Sequence, residues 1–291
     1  MSKNKWLLSS NSGLYSARPN APRFSVMDTV DFLADAGFEA IDVNFSASIT
    51  QDEFLHEPML DGDWRKRMAD LKDKAERRGL RIFHTHAPFR YNYLDTGNPL
   101  YPMWDEMMRR SIEATGLLGG KHIVVHPIVT PDRSATLVEE TLRGLEPLAE
   151  YAGRSGVRLA VENMSGTAPE TLLEIVERLD ADVCWDNGHA HIRGLDQESS
   201  LAVLGKRVKV LHIHDNYGSR GRPLCDAPQC DLHQPPFFGD VDWNSFLRGL
   251  ERIGFDGPFN YEVQSRNIPD ALRADHARYL VHAAEELMNR L

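Results

Sequence analysis

Residues 157–189 read VRLAVENMSGTAPETLLEIVERLDADVCWDNGH. VRLAVEN (157–163) is a β-rich run with Glu162 near its end, and DVCWDN (182–187) is a second with Asp186 near its end. Between them PETLLEIVERL (169–179) spaces its apolar residues as a helix does and opens on proline, which suits a first helical turn. The stretch reads as strand, helix, strand, with an acidic residue closing each strand.

The same alternation extends in both directions. Further strand candidates are KWLLSS (5–10), FEAIDVNF (38–45), LRIFHTHA (80–87), KHIVVHP (121–127), RVKVLHIHD (207–215) and FNYEVQ (259–264). Helical patterns lie between them, among them 26–37, 64–79 and 135–156, and several stop at a glycine just before the next strand (Gly37, Gly79, Gly156, Gly254). Eight strands alternating with helices predict an α/β fold, a (β/α)8 TIM barrel of about 250 residues or more, as one domain over 1–291. The doubly wound open sheet is the rival. It usually carries a glycine-rich phosphate loop after its first strand, and SSNSGLYS is not one.

Composition narrows the classes of function. The chain is 42% hydrophobic and 26% charged, and no apolar run is long enough for a membrane span. MSKNKWLLSSNSG lacks the apolar core of a secretory signal, so a cytoplasmic location and no membrane partner are expected. The formal charge of −10 disfavours non-specific binding to nucleic acid. Three cysteines argue against a disulfide framework. Cys184 reads as a buried small hydrophobe, and Cys225 and Cys230 are at most half of a zinc site.

In such a barrel the active site forms at the C-terminal ends of the strands. Metal-type side chains collect there: His84 and His86 on strand 3, His126 on strand 4, Glu162 on strand 5, and Asp186 with His189 on strand 6. Strand 7 carries His212 and His214, strand 8 carries Glu262, and the long segment 214–242 adds Asp231 and His233. A lone histidine at a strand end is usually a satisfied core or turn residue, and a closing glutamate is usually solvated. Seven of the twelve histidines lie here, however. Carboxylates and imidazoles converging from six consecutive strands are costly to desolvate unless a cation sits among them. A divalent ion held by oxygen and imidazole ligands is expected: Zn²⁺, Mn²⁺, Co²⁺ or Fe²⁺.

HAPF (86–89), VVHP (124–127), VENMSG (161–166), WDNGH (185–189), LHIHDN (211–216), DLHQPPFFGDVDW (231–243) and YEV (261–263) together resemble the xylose-isomerase-like barrel superfamily. That superfamily holds sugar isomerases and epimerases, and also apurinic endonucleases of the endonuclease IV type. The epimerase resemblance implies one divalent ion on Glu162, Asp186, His212 and Glu262, with the two glutamates as an acid/base pair. The endonuclease resemblance implies up to three zinc ions on those four plus His86, His126, His189, Asp231 and His233. The first strand departs from the endonuclease pattern: LLSSNSG stands where a Gly-Ala-His-type motif is expected. His191 has no counterpart in the motif.

The preferred expectation is an isomerase or epimerase that moves a proton next to a metal-chelated carbonyl, with one ion and a small carbohydrate substrate. The alternative is a multinuclear phosphoesterase. Charge separates the two: Glu162, Asp186, Asp231 and Glu262 sum to −4, so one divalent ion leaves −2 and three leave +2, which favours an anion. A metal-stabilised binding protein would need far fewer ligands. Arg220, Arg222, Trp104 and Phe89 are candidate substrate contacts, the aromatic residues being equally suited to a pocket wall or a homo-oligomer interface.

Overall fold

The computed structural model describes residues 5–18, 21–45, 62–89, 94–128, 136–164, 167–218 and 231–291. Eight parallel strands follow one another in chain order: β1 (Leu8–Asn11), β2 (Ala40–Asn44), β3 (His84–His86), β4 (His122–Val125), β5 (Arg158–Glu162), β6 (Asp182–Asp186), β7 (Val208–His212) and β8 (Phe259–Tyr261). Each pairs with its sequence neighbour from β1 to β7, β8 pairs with β1, and a parallel bridge between Ile213 and Tyr261 joins β7 to β8. The sheet therefore closes into a barrel.

Helices α1 (Ser12–Ser16), α2 (Val26–Ala36), α3 (Trp64–Arg77), α4 (Tyr101–Leu118), α5 (Leu137–Arg154), α6 (Pro169–Arg178), α7 (Asn187–Arg193), α8 (Gln197–Leu204), α9 (Trp243–Ile253) and α10 (Arg273–Met288) connect the strands. The sequence boundaries fall within a few residues of these limits. In α9, Trp243, Phe246, Leu247 and Leu250 make one buried stripe at helical spacing. Each such side chain contributes about 1.5–3 kcal/mol on burial. Gly254 ends α9 at φ 66, a left-handed conformation that costs other residues more. No helix among the described residues is long and apolar enough to cross a membrane.

Two apolar clusters hold the fold. The larger lies between the helices and the outer faces of the strands. The smaller fills one side of the barrel interior with Val124, Ala160, Cys184 and Val210. Cys184 is fully buried, as its sequence context predicts, and burial pushes its thiol up.

The stretch 86–104 reads as a loop in sequence, yet α4 begins at Tyr101 with Pro102 in its first turn. This relocates Trp104. It faces the core from α4 and is 1% exposed, so it offers no ring face to a substrate in this structure.

Candidate metal centre

Local structure at the end of β6 explains how WDNGH works. Asp186 closes the strand and caps α7, its Oδ1 accepting from the His189 backbone N–H at 2.7 Å. Asn187-Gly188 is thus the first turn of a helix, not a reverse turn. That single turn carries His189 back over the barrel. Gly188 is needed for space, because a Cβ there would meet the His214 ring at 2.0 Å.

The nine ligand candidates come together and fall into three groups. In the first, His86 Nε2 and His126 Nε2 lie 3.5 and 3.2 Å from Glu162 Oε2. In the second, His212 Nδ1 lies 3.3 Å from Glu162 Oε2 and 3.3 Å from Glu262 Oε2. In the third, His189 Nε2 and His233 Nε2 lie 3.2 and 3.0 Å from Asp231 Oδ2. Glu162 is common to the first two. Asp186 joins through histidines: His189 Nδ1 is 3.5 Å away and His214 Nε2 is 3.1 Å away. His189 Nδ1 is also 3.4 Å from Glu162 Oε1, which links the third group to the others.

Three of the rings are aimed by the backbone. The Nδ1 atoms of His86, His189 and His233 lie 2.8, 2.9 and 2.7 Å from the carbonyls of Ala87, Asn163 and Glu262. An N–H donated there fixes the tautomer and leaves Nε2 as a lone-pair donor facing the carboxylates, the usual preparation of a metal ligand. His233 is held at φ 46, a backbone conformation uncommon outside glycine. The segment carrying it is pinned by Asp215, whose side chain accepts from the backbone of Asn216, Phe237 and Val241.

The donor set fits a cation. Glu162 Oε2, Asp231 Oδ1 and both nitrogens of His212 are buried without a hydrogen-bond partner among the described residues. Unpaired buried groups of this kind are rare unless an ion or water completes them. Electrostatics agrees. Burial opposes charge throughout, yet neighbouring imidazoles hold Glu162 well below the usual carboxylate range and Glu262 at about 2. Burial likewise works against His233, but Asp231 and its neighbours raise it to about 9, and His189 and His212 are pushed well above their ordinary value. In the free chain, protons on histidine balance the carboxylates, and a divalent ion would displace them.

Among the other candidates, the half-exposed Phe89 ring stacks on His126 with centroids 4.6 Å apart, at the rim of the first group. Arg220, Arg222, Cys225 and Cys230 lie outside the described residues. His191 Nε2 is 2.7 Å from Asp240, away from the three groups.

Sequence reading missed several participants. Asp42 is fully buried beneath the centre, 4.0 Å from His212 Nε2 and 3.8 Å from His84 Nε2. Burial is the main cause of its rise to about 6. Its signal was an acidic residue between Ile41 and Val43, in mid-strand. Asn163 is the second. Its side chain exchanges two hydrogen bonds with the Asp186 backbone, at 2.6 and 2.8 Å, clamping β5 to β6. His214, counted among the strand-end histidines but given no role, supports Asp186.

The chain is similar to known proteins over most of its length. The chain is 27% identical over 288 residues to Uncharacterized protein MJ1311 of Methanocaldococcus jannaschii, covering 94% of this chain and 89% of that protein. It is 29% identical over 207 residues to the probable endonuclease 4 of Bacillus licheniformis, covering 62% of this chain and 67% of that one. Among solved structures, the IolI protein with a bound zinc superposes with a TM-score of 0.74 at 19% identity over 98% of both chains. D-allulose 3-epimerase from Methylomonas sp., in complex with D-allulose, gives 0.72 at 17% identity over 98% of this chain and 99% of that one. At these identities the two structural likenesses speak to the fold alone. The model of the xylose isomerase-like TIM barrel matches residues 30–283, and the chain belongs to that family.

Proposed function

We propose that the chain is a multinuclear divalent-metal hydrolase acting on a phosphate ester. The observation that carries this reading is the gathering of eight side chains into three adjoining groups linked through Glu162 and His189, with Asp186 joined to them through His189. A one-ion centre leaves His86, His126, Asp231 and His233 without a purpose, although two of those rings are aimed by backbone carbonyls. The identity to a probable endonuclease 4 points to the same chemistry.

The residues divide the work. His86, His126 and Glu162 would hold one ion, Glu162, His212 and Glu262 a second, and His189, Asp231 and His233 a third, with Asp186 beside His189. Bound zinc, manganese or cobalt supplies Lewis acidity toward a phosphoryl oxygen and acidifies a water. Glu162 and Glu262, kept as carboxylates by the imidazoles around them, would serve as anionic ligands and not as proton donors. Phe89 offers a ring face at the rim for a sugar or base of the ester.

A second reading is the one-ion isomerase or epimerase of a small carbohydrate. It is favoured by Glu162 and Glu262 both reaching His212 Nδ1, which leaves two carboxylates beside one ligand. The two separate in one assay series on the zinc-, manganese- or cobalt-loaded chain. Chelator-sensitive cleavage of bis-p-nitrophenyl phosphate, a sugar phosphate or an abasic-site duplex supports hydrolysis. Solvent-deuterium exchange into a ketose, with every ester left intact, gives the function to the isomerase reading.

A further inference from the structure

The first strand, where LLSSNSG departs from the endonuclease pattern, places an amide inside the centre. Asn11 closes β1 and caps α1, its Oδ1 accepting from the backbone N–H groups of Gly13 at 2.8 Å and Leu14 at 3.2 Å. Asn44 Nδ2 adds a third donor to the same oxygen at 3.4 Å. An amide turned the other way would set its NH₂ against those donors, so the direction of Nδ2 is fixed by the helix cap.

Nδ2 points between two buried carboxylates from the strands on either side. It lies 2.9 Å from Asp42 Oδ2 and 3.4 Å from Glu262 Oε1. The other oxygen of Glu262, Oε2, faces His212 Nδ1 at 3.3 Å, while Asp42 Oδ2 faces Nε2 of the same ring at 4.0 Å. One amide thus engages the two acidic groups that bracket His212.

We infer that Asn11 is a positioning residue of the metal centre: its cap-locked amide holds Glu262 Oε1 and Asp42, and so presents Glu262 Oε2 beside His212 to an ion. The inference rests on the barrel mouth being a metal centre. It gives the LLSSNSG departure a purpose, because the fold of α1 then sets the aim of a ligand on β8. Asn11 does not touch the reacting atoms and acts through Glu262.

A variant that keeps the cap separates this role from a structural one. Serine caps a helix about as well as asparagine but lacks the second donor. The metal-free full chain, wild type and Asn11→Ser, is titrated with Zn²⁺ against a chromophoric chelator, and thermal unfolding of the metal-free forms serves as the fold control. Loss of such an outer partner weakens a metal by about 10–100-fold. The expected result is that one ion weakens by this amount, the others keep wild-type affinity, and the metal-free melting temperature is unchanged. Wild-type affinity at every ion overturns the inference, as does equal weakening of all ions with a lowered melting temperature.

Asp42→Asn reads the same arrangement from the other side, and it decides the matter if Asn11→Ser does not fold. Asp42→Asn should weaken the same ion, and undiminished binding overturns the inference. Where both fold, the losses combine less than additively; fully additive losses overturn it. A wild-type chain that binds no Zn²⁺ defeats the metal centre itself, an outcome distinct from all of these.

Discussion

At the lower end of the barrel, Asp182 is held by the protein's own side chains: the guanidinium groups of Arg158, with Nε at 2.9 Å, and Arg207, with Nη1 at 3.9 Å, and the His122 ring, with Nε2 at 3.0 Å. At the upper end, Glu162, Asp186, Asp231 and Glu262 have histidines around them, with no arginine or lysine ion pair to any of the four among the described residues. The lower network is closed and leaves Asp182 no role but a structural one. The upper one retains orphaned atoms on Glu162, Asp231 and His212. A buried carboxylate with a permanent counter-charge stabilises a fold. One whose neighbours can lose their protons is prepared for a cation from outside.

Substitutions at the two ends should therefore fail in different ways. Glu162→Gln removes the ligand shared by two groups, so activity should fall by at least about a hundredfold, the lower end for loss of one preorganised charge stabiliser. Bound metal should fall with it. Steady-state kinetics together with elemental analysis checks this, and full metal content with full activity would remove Glu162 from the centre.

Gly188→Ala tests whether the geometry above β6 is as tight as the 2.0 Å approach to His214 implies. Overpacking of this sort costs about 1–3 kcal/mol. Denaturant unfolding should show that loss, with metal content reduced because His214 no longer supports Asp186.

Asp182→Asn should cost about 1.5–3 kcal/mol, the range for hydrogen bonds to charged groups, and leave metal content and activity unchanged. A change in metal content would mean that the two ends are not independent.

The smallest effect is on pH dependence, and its sign differs between the ends. Burial raises Asp182, but the bonds from His122 and Arg158 outweigh it and lower the group overall. Its contribution is present above the ordinary carboxylate value of 3.8 and is lost as pH falls through the lowered one. At the mouth, His233 is raised to about 9 in the metal-free chain. That contribution is full below 6.5 and disappears as pH rises through 9. Melting curves of the metal-free protein should therefore fall between these two values, and saturating Zn²⁺ should abolish or reverse that slope. An identical slope with and without Zn²⁺ would separate His233 from the metal.

The barrel was legible in sequence because each βα unit carries its own local signals, such as Pro169 opening α6 and Gly254 closing α9. Seven of the nine ligands were legible because they sit at or just beyond strand ends or in the helix turn after β6, and Asp231 and His233 stood out by their D-x-H spacing in the long segment after β7. Their sorting into three groups was not. It depends on which ring nitrogen meets a carbonyl, as in His189 with Asn163, and no spacing encodes that. Asp42 was hidden because its contacts cross the barrel to His212. Trp104 was misplaced because a proline-rich approach to α4 looks like a loop. The order of the two functional readings also changed, since the sequence favoured one ion and the grouping of side chains favours several.

Metal-to-chain stoichiometry in the purified protein, measured by elemental analysis after saturation and gel filtration, tests the central claim most directly. The arrangement of ligands predicts two or three divalent ions per chain. A single ion at saturation, or none, contradicts the multinuclear centre.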